Sequence, residues 1–320
     1  MKRKYLFGPV PSRRLGYSLG VDIVPYKTCT LDCVYCECGK TTKLRNRRSS
    51  YVSASDVIRE LSDYLSKEPK LDYITFSGGG EPVLNTEIGK IIEFIKTSYD
   101  AYKVALLTNG TLFGDKKARE DVSMCDLIIP SVDAASEKAF KKINRPAPGI
   151  SASSVIKGIE LLNREVSGKL WVEVFVIPGI NDNEGELRKI KEALIRIGPE
   201  KVQLNTLDRP GTVKDLKSAG REKLLNICEY FSPLKTEIIG RYGGSKKRDF
   251  ASSDMKEKML LLLSRRPCTL EDLSEVFSPQ KNDLEKYLKE LKNSGRIQSS
   301  KGERGLFYRA PEEENKKAER

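Results

Sequence analysis

Along the first 240 residues, apolar positions switch between two periods. Short runs rich in β-branched and aromatic residues occur at Ser18–Val24, Tyr73–Ser77, Lys103–Thr108, Leu127–Val132, Leu170–Ile177 and Lys201–Leu207. Helical spacing falls between them. Ser55–Ser66 opens on a serine cap and repeats Val57, Leu61, Tyr64 and Leu65 on one face, and Glu87–Lys96 carries Ile88, Ile91, Ile92 and Ile95. Ser136–Ile143, Ser153–Glu165 and Glu184–Ile197 read as further helices. Six strands separated by helices predict repeated βα units and an α/β fold with a parallel sheet. In such folds ligands sit at the C-terminal ends of the strands, where the chemically distinctive residues of this chain also fall.

Past Gly243-Gly244 the alternation stops. Helices are predicted over Asp254–Ser264, from an N-cap at Thr269 to Val276, and from Pro279 to Asn293, with Gly295 as the stop of the third. Arg296–Ser299 and Gly305–Arg309, joined by a turn at Lys301-Gly302, read as a two-stranded wing. The segment resembles a winged helix-turn-helix, a fold used both on nucleic acid and as a protein-docking module. The organisation expected is a core over 1–245, a winged-helix domain over 251–310 and a disordered tail over 311–320.

The chain contains no histidine. Ser-His-Asp triads, histidine general bases and histidine-ligated metals are therefore excluded. No run of 18 apolar residues suggests a membrane span and no signal peptide is evident, so a soluble, cytoplasmic protein is expected. The formal charge of +12 is concentrated: residues 1–48 carry 11 Lys/Arg against 3 Asp/Glu, and 241–248 add four more cations with no acid. Residues 251–320 are nearly balanced, at 15 basic to 13 acidic. The basic stretches are either a solvated face or a field that attracts a polyanion.

Four of the seven cysteines, Cys29, Cys33, Cys36 and Cys38, lie within ten residues of one another. In a chain without the marks of secretion this clustering suggests metal or redox chemistry rather than a disulfide framework. Cys29, Cys33 and Cys36 have the spacing C-x3-C-x2-C. Three thiolates on a short loop suit three irons of a [4Fe–4S] cluster with the fourth left open to a small molecule. A zinc site or inert buried thiols are the alternatives, although zinc would want a fourth ligand. Cys38, just beyond, is either a packed thiol or one able to quench a substrate radical. Cys125 and Cys228 read as core thiols.

C-x3-C-x-aromatic-C over Cys29, Cys33, Tyr35 and Cys36, followed after the second strand by Gly79-Gly80-Glu81-Pro82, resembles the radical S-adenosylmethionine (SAM) enzymes. The resemblance covers roughly residues 15–240 and implies a partial (βα)6 TIM-like barrel, a [4Fe–4S] cluster and SAM. It implies that Cys29, Cys33 and Cys36 ligate the cluster, that Tyr35 packs near the adenine, and that Gly79 and Gly80 approach the methionine amino group. Glu81 then either adds charge or makes a local hydrogen bond. Asn109, Ser131, Asp133, Gly179 and Asn205, all at or near strand ends, complete the expected SAM pocket, although each suits a turn or cap equally well. An electron donor such as ferredoxin or flavodoxin is expected of the superfamily.

The segment GPVPSRRLGYSLGVDIVPYKTCTLDCVYCECGKTT further resembles a group of uncharacterised Fe–S oxidoreductases near the wyosine-synthesis enzymes, which modify tRNA. Wyosine synthases carry a second cysteine cluster. Here Cys38, Cys125, Cys228 and Cys268 have no matching spacing, which puts that reaction in doubt. RNA, above all tRNA, is the expected substrate. A protein or peptide, or a small anionic metabolite, is the alternative.

Overall fold

Backbone hydrogen bonds join eight strands into one open sheet. The structure, a computed structural model, describes residues 4–12, 14–239, 255–277 and 281–311. In chain order the core elements are β1 (Leu6–Ser12), β2 (Gly16–Val21), β3 (Thr28–Cys29), β4 (Lys43–Leu44), α1 (Ala54–Leu65), β5 (Tyr73–Phe76), α2 (Ile88–Ser98), β6 (Val104–Thr108), α3 (Lys116–Asp121), β7 (Leu127–Pro130), α4 (Glu137–Ile143), α5 (Ala152–Glu165), β8 (Lys169–Val176), α6 (Glu184–Ile197), β9 (Lys201–Thr206), α7 (Arg221–Tyr230) and β10 (Thr236–Ile238). The sheet order is β1-β2-β5-β6-β7-β8-β9-β10. All of its pairs are parallel except β1 with β2.

The six predicted strands are β2 and β5 to β9. Two further sheet strands were not expected. β1 contains Pro9 and Pro11, which break the alternation and confine it to an edge. β10 is three residues long, too short for a pattern. The first predicted strand also stops at Val21 rather than Val24, because the chain turns into the cysteine loop.

Alternation along the strands sorts their two faces. Ile74, Phe76, Val104, Leu106, Ile128, Val172, Val174, Val202 and Leu204 face the helices and form the main core. On the other face, Leu15, Ala105, Leu127 and Ile129, with partly buried Tyr73, Leu107 and Trp171, seal the N-terminal ends of the strands. Further along the same face, polar groups replace apolar ones: Ser131 bridges Glu173, and Asn205 is paired beside Phe175.

The C-terminal unit has α8 (Met255–Arg265), α9 (Leu270–Phe277), α10 (Lys281–Asn293) and an antiparallel ribbon of β11 (Gln298–Gly302) and β12 (Gly305–Arg309). Thr269 caps α9 as expected, since its hydroxyl accepts from Asp272 N at 3.2 Å and Asp272 accepts from Thr269 N at 3.0 Å. Its own core includes Met259, Leu263, Leu273, Leu284 and Leu288. Val10 of β1 packs on that core, while Arg304 reaches Asp208, after β9, at 3.2 Å. In a flat sheet β1 and β9 would lie roughly 30 Å apart. One small unit touching both means that the sheet curls, as a partial barrel does. The expected domain boundary and tail, the basic stretch 241–248 and the start of the third helix at Pro279 lie outside the described residues.

Candidate metal centre and cofactor site

The loop after β2 is built against the loop after β5. Lys27 N donates to Gly79 O at 3.0 Å and Glu81 N to Thr28 O at 3.1 Å. The glycines permit this contact. A Cβ on Gly79 would stand 2.6 Å from the Tyr26 ring, and one on Gly80 only 2.0 Å from Thr28 O. The other flank rests on the end of α4, where Asp32 N donates to Asn144 O at 3.0 Å and Val34 N to Ile143 O at 2.9 Å.

Each of the three motif sulfurs meets an N–H donor. Asn109 Nδ2 lies 3.5 Å from Cys29 Sγ, Asn144 Nδ2 lies 3.5 Å from Cys33 Sγ, and Lys27 Nζ lies 3.1 Å from Cys36 Sγ. Such donors favour thiolates and, in iron–sulfur proteins, bear on the cluster's potential. Cys36 is held down to about 6 by hydrogen bonding from Cys38 and by the Lys27 charge. Burial and then Glu81 push Cys29 up to about 12, and burial and then Asp133 raise Cys33 well above the ordinary thiol value. Cys38 behaves differently. Its sulfur lies 3.2 Å from Arg265 O and 3.6 Å from Gly78 O, and its hydrogen bond to Cys36, then burial, raise its pKa well above the ordinary thiol value. Among the described residues no three Cys, Asp or Glu side chains gather around one metal ion. Three thiols on one loop, each with an N–H donor to its sulfur, suit ligands that each take a separate iron. The donor set thus fits an iron–sulfur cluster.

Residues 23–190 match the family described as the radical SAM superfamily. The chain belongs to the radical SAM superfamily. It is 31% identical over 305 residues to a UPF0026 protein of Helicobacter pylori, covering 95% of this chain and 96% of that protein. It is 34% identical over 298 residues, 93% of this chain, to a protein named GTPase Obg from Brachyspira hyodysenteriae, but spans only 44% of that relative's length. Among solved structures, a radical SAM methyltransferase from Sphaerobacter thermophilus shares the fold at a TM-score of 0.53 and 17% identity, over 69% of this chain and 66% of that one.

Radical SAM enzymes use a [4Fe–4S] cluster and SAM. Tyr35 stacks on Phe175 with ring centroids 3.9 Å apart, and its hydroxyl donates to Asp133. Asp133 also accepts from Asn144 Nδ2 at 2.7 Å and Phe175 N at 2.9 Å. One buried carboxylate therefore orients both Tyr35 and the amide that serves Cys33. Burial, outweighing those bonds, raises its pKa.

Glu81 is likewise spent inside the protein. It accepts from Thr108 Oγ1 at 2.6 Å, Asn109 N at 2.8 Å and Val83 N at 3.1 Å, and burial raises its pKa. It thereby sets Asn109, whose amide also donates to Thr30 Oγ1 at 2.7 Å. Ser131 and Asn205 stand on the polar face, with Asn205 Nδ2 3.4 Å from Glu173 Oε2. Gly179 is different. It occupies an exposed left-handed turn at φ 75°, and its carbonyl accepts from Lys142 Nζ at 3.1 Å.

Four residues were not singled out from the sequence. Lys27 and Asn144 serve thiols, and Arg14 forms an ion pair with Glu173 on the polar face. Glu173 did leave a signal, a carboxylate inside the apolar run LWVEVFVI. Asn144 left none, since it reaches Cys33 only through the fold. Asn144→Ala should cost about 1–2 kcal/mol through the unserved Asp133 carboxylate. Urea unfolding should show a lower midpoint with an unchanged slope.

Proposed function

We propose that this radical SAM enzyme modifies RNA, tRNA foremost, docked on the face beside the cysteine loop. The observation that carries this reading is the set of exposed cations there. Lys40, Lys43, Arg45, Arg47 and Lys141 have no carboxylate partner among the described residues. Pairing of β3 with β4 and the Leu31–Pro146 bridge bring these segments together around Cys29. Between them runs a groove lined by Leu44, Pro146, Pro148 and Ile150, with Arg145 and Asp32 on its wall. Uncompensated cations about an apolar groove suit a chain of phosphates carrying bases. The resemblance to the wyosine group points the same way.

Cys29, Cys33 and Cys36 would hold the cluster, which would supply one-electron reduction of SAM and so radical chemistry on the substrate. The protein's part is positioning. Asp133 holds Tyr35 and Asn144, Glu81 holds Asn109, and Arg14, Glu173 and Asn205 make the polar wall.

The C-terminal unit we read as a winged helix that walls the site rather than reads nucleic acid. The exposed face of α10 mixes acids with bases, and the ribbon's Arg304 is occupied by Asp208 and Asp272. Arg265 pairs with Asp22 behind the cysteine loop, and Arg209 with Glu37 at 3.1 Å.

The test is RNA binding as a function of salt. The triple variant Lys43→Glu, Arg45→Glu, Lys141→Glu should bind tRNA more weakly and lower the salt slope by about 2, at roughly 0.7 per single-strand phosphate contact. Its iron content should not change. Unaltered tRNA binding, or SAM cleavage stimulated by peptides and not by RNA, would overturn the reading.

A further inference from the structure

We propose that Lys27 is a positioning residue for the iron–sulfur centre, placing a fixed positive charge on the Cys36 sulfur that favours the electron-rich state of the cluster. The inference does not depend on what the substrate is. Lysines generally keep the ammonium in water and bury only the stem. Lys27 is 2% exposed. Among the described residues it has no carboxylate partner, and its one side-chain hydrogen bond runs 3.1 Å to Cys36 Sγ. A buried ammonium without an anion is costly enough that a compensating charge is required. The thiolates of the motif are the anions within reach.

The backbone shows that this placement is enforced. Lys27 has φ 58°, a left-handed conformation that residues other than glycine seldom adopt. Three backbone hydrogen bonds hold it there: its N–H to Gly79 O at 3.0 Å, and its carbonyl from Thr42 N at 3.2 Å and Lys43 N at 3.0 Å. Backbone strain that its surroundings over-determine is a mark of functional positions. From this backbone the side chain is buried and its ammonium lies against the last cysteine of the motif. The amides facing Cys29 and Cys33 are neutral, so Lys27 supplies the one formal charge among the three donors.

The electron accounting is simple. A low-potential one-electron donor gives up one electron, the cluster with its three thiolates takes it, and no bond forms or breaks. The complex becomes more negative by one unit, and a cation a few ångströms away stabilises that state.

The experiment compares wild type, Lys27→Gln and Lys27→Arg after anaerobic reconstitution. Iron per chain is measured first. The reduced cluster is then followed by electron paramagnetic resonance during a titration with dithionite. Lys27→Gln, which keeps a donor but loses the charge, should lower the reduced-to-oxidised ratio at a fixed poise about tenfold. That corresponds to a midpoint about 59 mV more negative for one electron. Lys27→Arg should stay close to wild type. If the Gln variant fails to hold iron while the Arg variant loads with the wild-type midpoint, the charge is still what matters and the proposal stands. It is overturned if the Gln variant loads fully with an unchanged midpoint, or if the Arg variant is shifted as far as, or loses iron like, the Gln variant.

Discussion

Cys29→Ala, Cys33→Ala and Cys36→Ala are each expected to lower reconstituted iron from about four atoms per chain to less than one. Reductive cleavage of SAM should fall at least about a thousandfold, because the electron's only route to the sulfonium is lost. Cys38→Ala and Cys125→Ala should retain the iron. The distinction rests on what each sulfur faces. The three motif sulfurs meet N–H groups of Asn109, Asn144 and Lys27. Cys38 meets no N–H donor among the described residues and lies between the Cys36 sulfur and the carbonyls of Gly78 and Arg265, and Cys125 is sealed in the main core. Iron and absorbance measurements on the five variants decide the matter. Iron lost from Cys38→Ala, or kept at the wild-type level in Cys33→Ala, would refute this assignment of the ligands.

Gly80→Ala should come next in severity. Its Cβ would lie 2.0 Å from Thr28 O and 2.8 Å from Val24 Cγ2, and a backbone carbonyl cannot swing aside as a side-chain tip can. One of the two loops must move. The cost should be about 3 kcal/mol, near the top of the usual range for overpacking. Either movement breaks the contact that braces the loop carrying Cys29, so iron loading should drop together with stability. Gly114→Ala is the control. A Cβ there meets nothing within 4 Å and the backbone is unstrained, so stability should change by less than about 1 kcal/mol. Thermal unfolding with parallel iron analysis checks both. A Gly80→Ala protein as stable and as iron-replete as wild type would show that the loops are not locked together as described.

Much of the architecture was legible because it rests on local periodicity. The strands β2 and β5 to β9 bury alternate residues under helices, and that leaves a period of two between periods of 3.6. The Thr269 cap was readable for a similar reason, since Asp272 lies three residues on. β1 and β10 escaped notice. The first has its alternation interrupted by two prolines, and the second pairs over only three residues.

The site divides in the same way. Gly79 and Gly80 were expected, from the resemblance, to bring the backbone close to the methionine amino group of SAM. The structure adds a second reason for glycine there, the close approach of the cysteine loop at Tyr26 and Thr28. Of the two roles open to Glu81, charge or a local hydrogen bond, its three hydrogen bonds give the second and make it the support of Asn109. Tyr35 was recognised as an aromatic of the motif. That it lies on Phe175, 140 residues away, and is fixed by Asp133 could come only from the fold.

The sequence by itself determined the chemistry available to this protein. Without histidine, reactivity was left to Cys, carboxylates, Lys, Tyr or a bound cofactor, and three thiols closely spaced on one loop, near neighbours in the chain, suited an iron–sulfur cluster. The tertiary structure decided which groups serve those thiols: an amide from the end of α4, an amide set by Glu81, and an ammonium pinned by a left-handed backbone. It also decided that the C-terminal unit is tied to the cysteine loop, through Arg265 on Asp22 and Cys38. Contacts between residues tens to hundreds of positions apart leave no period in the chain. They arise only when the sheet curls and brings its strand ends to one side.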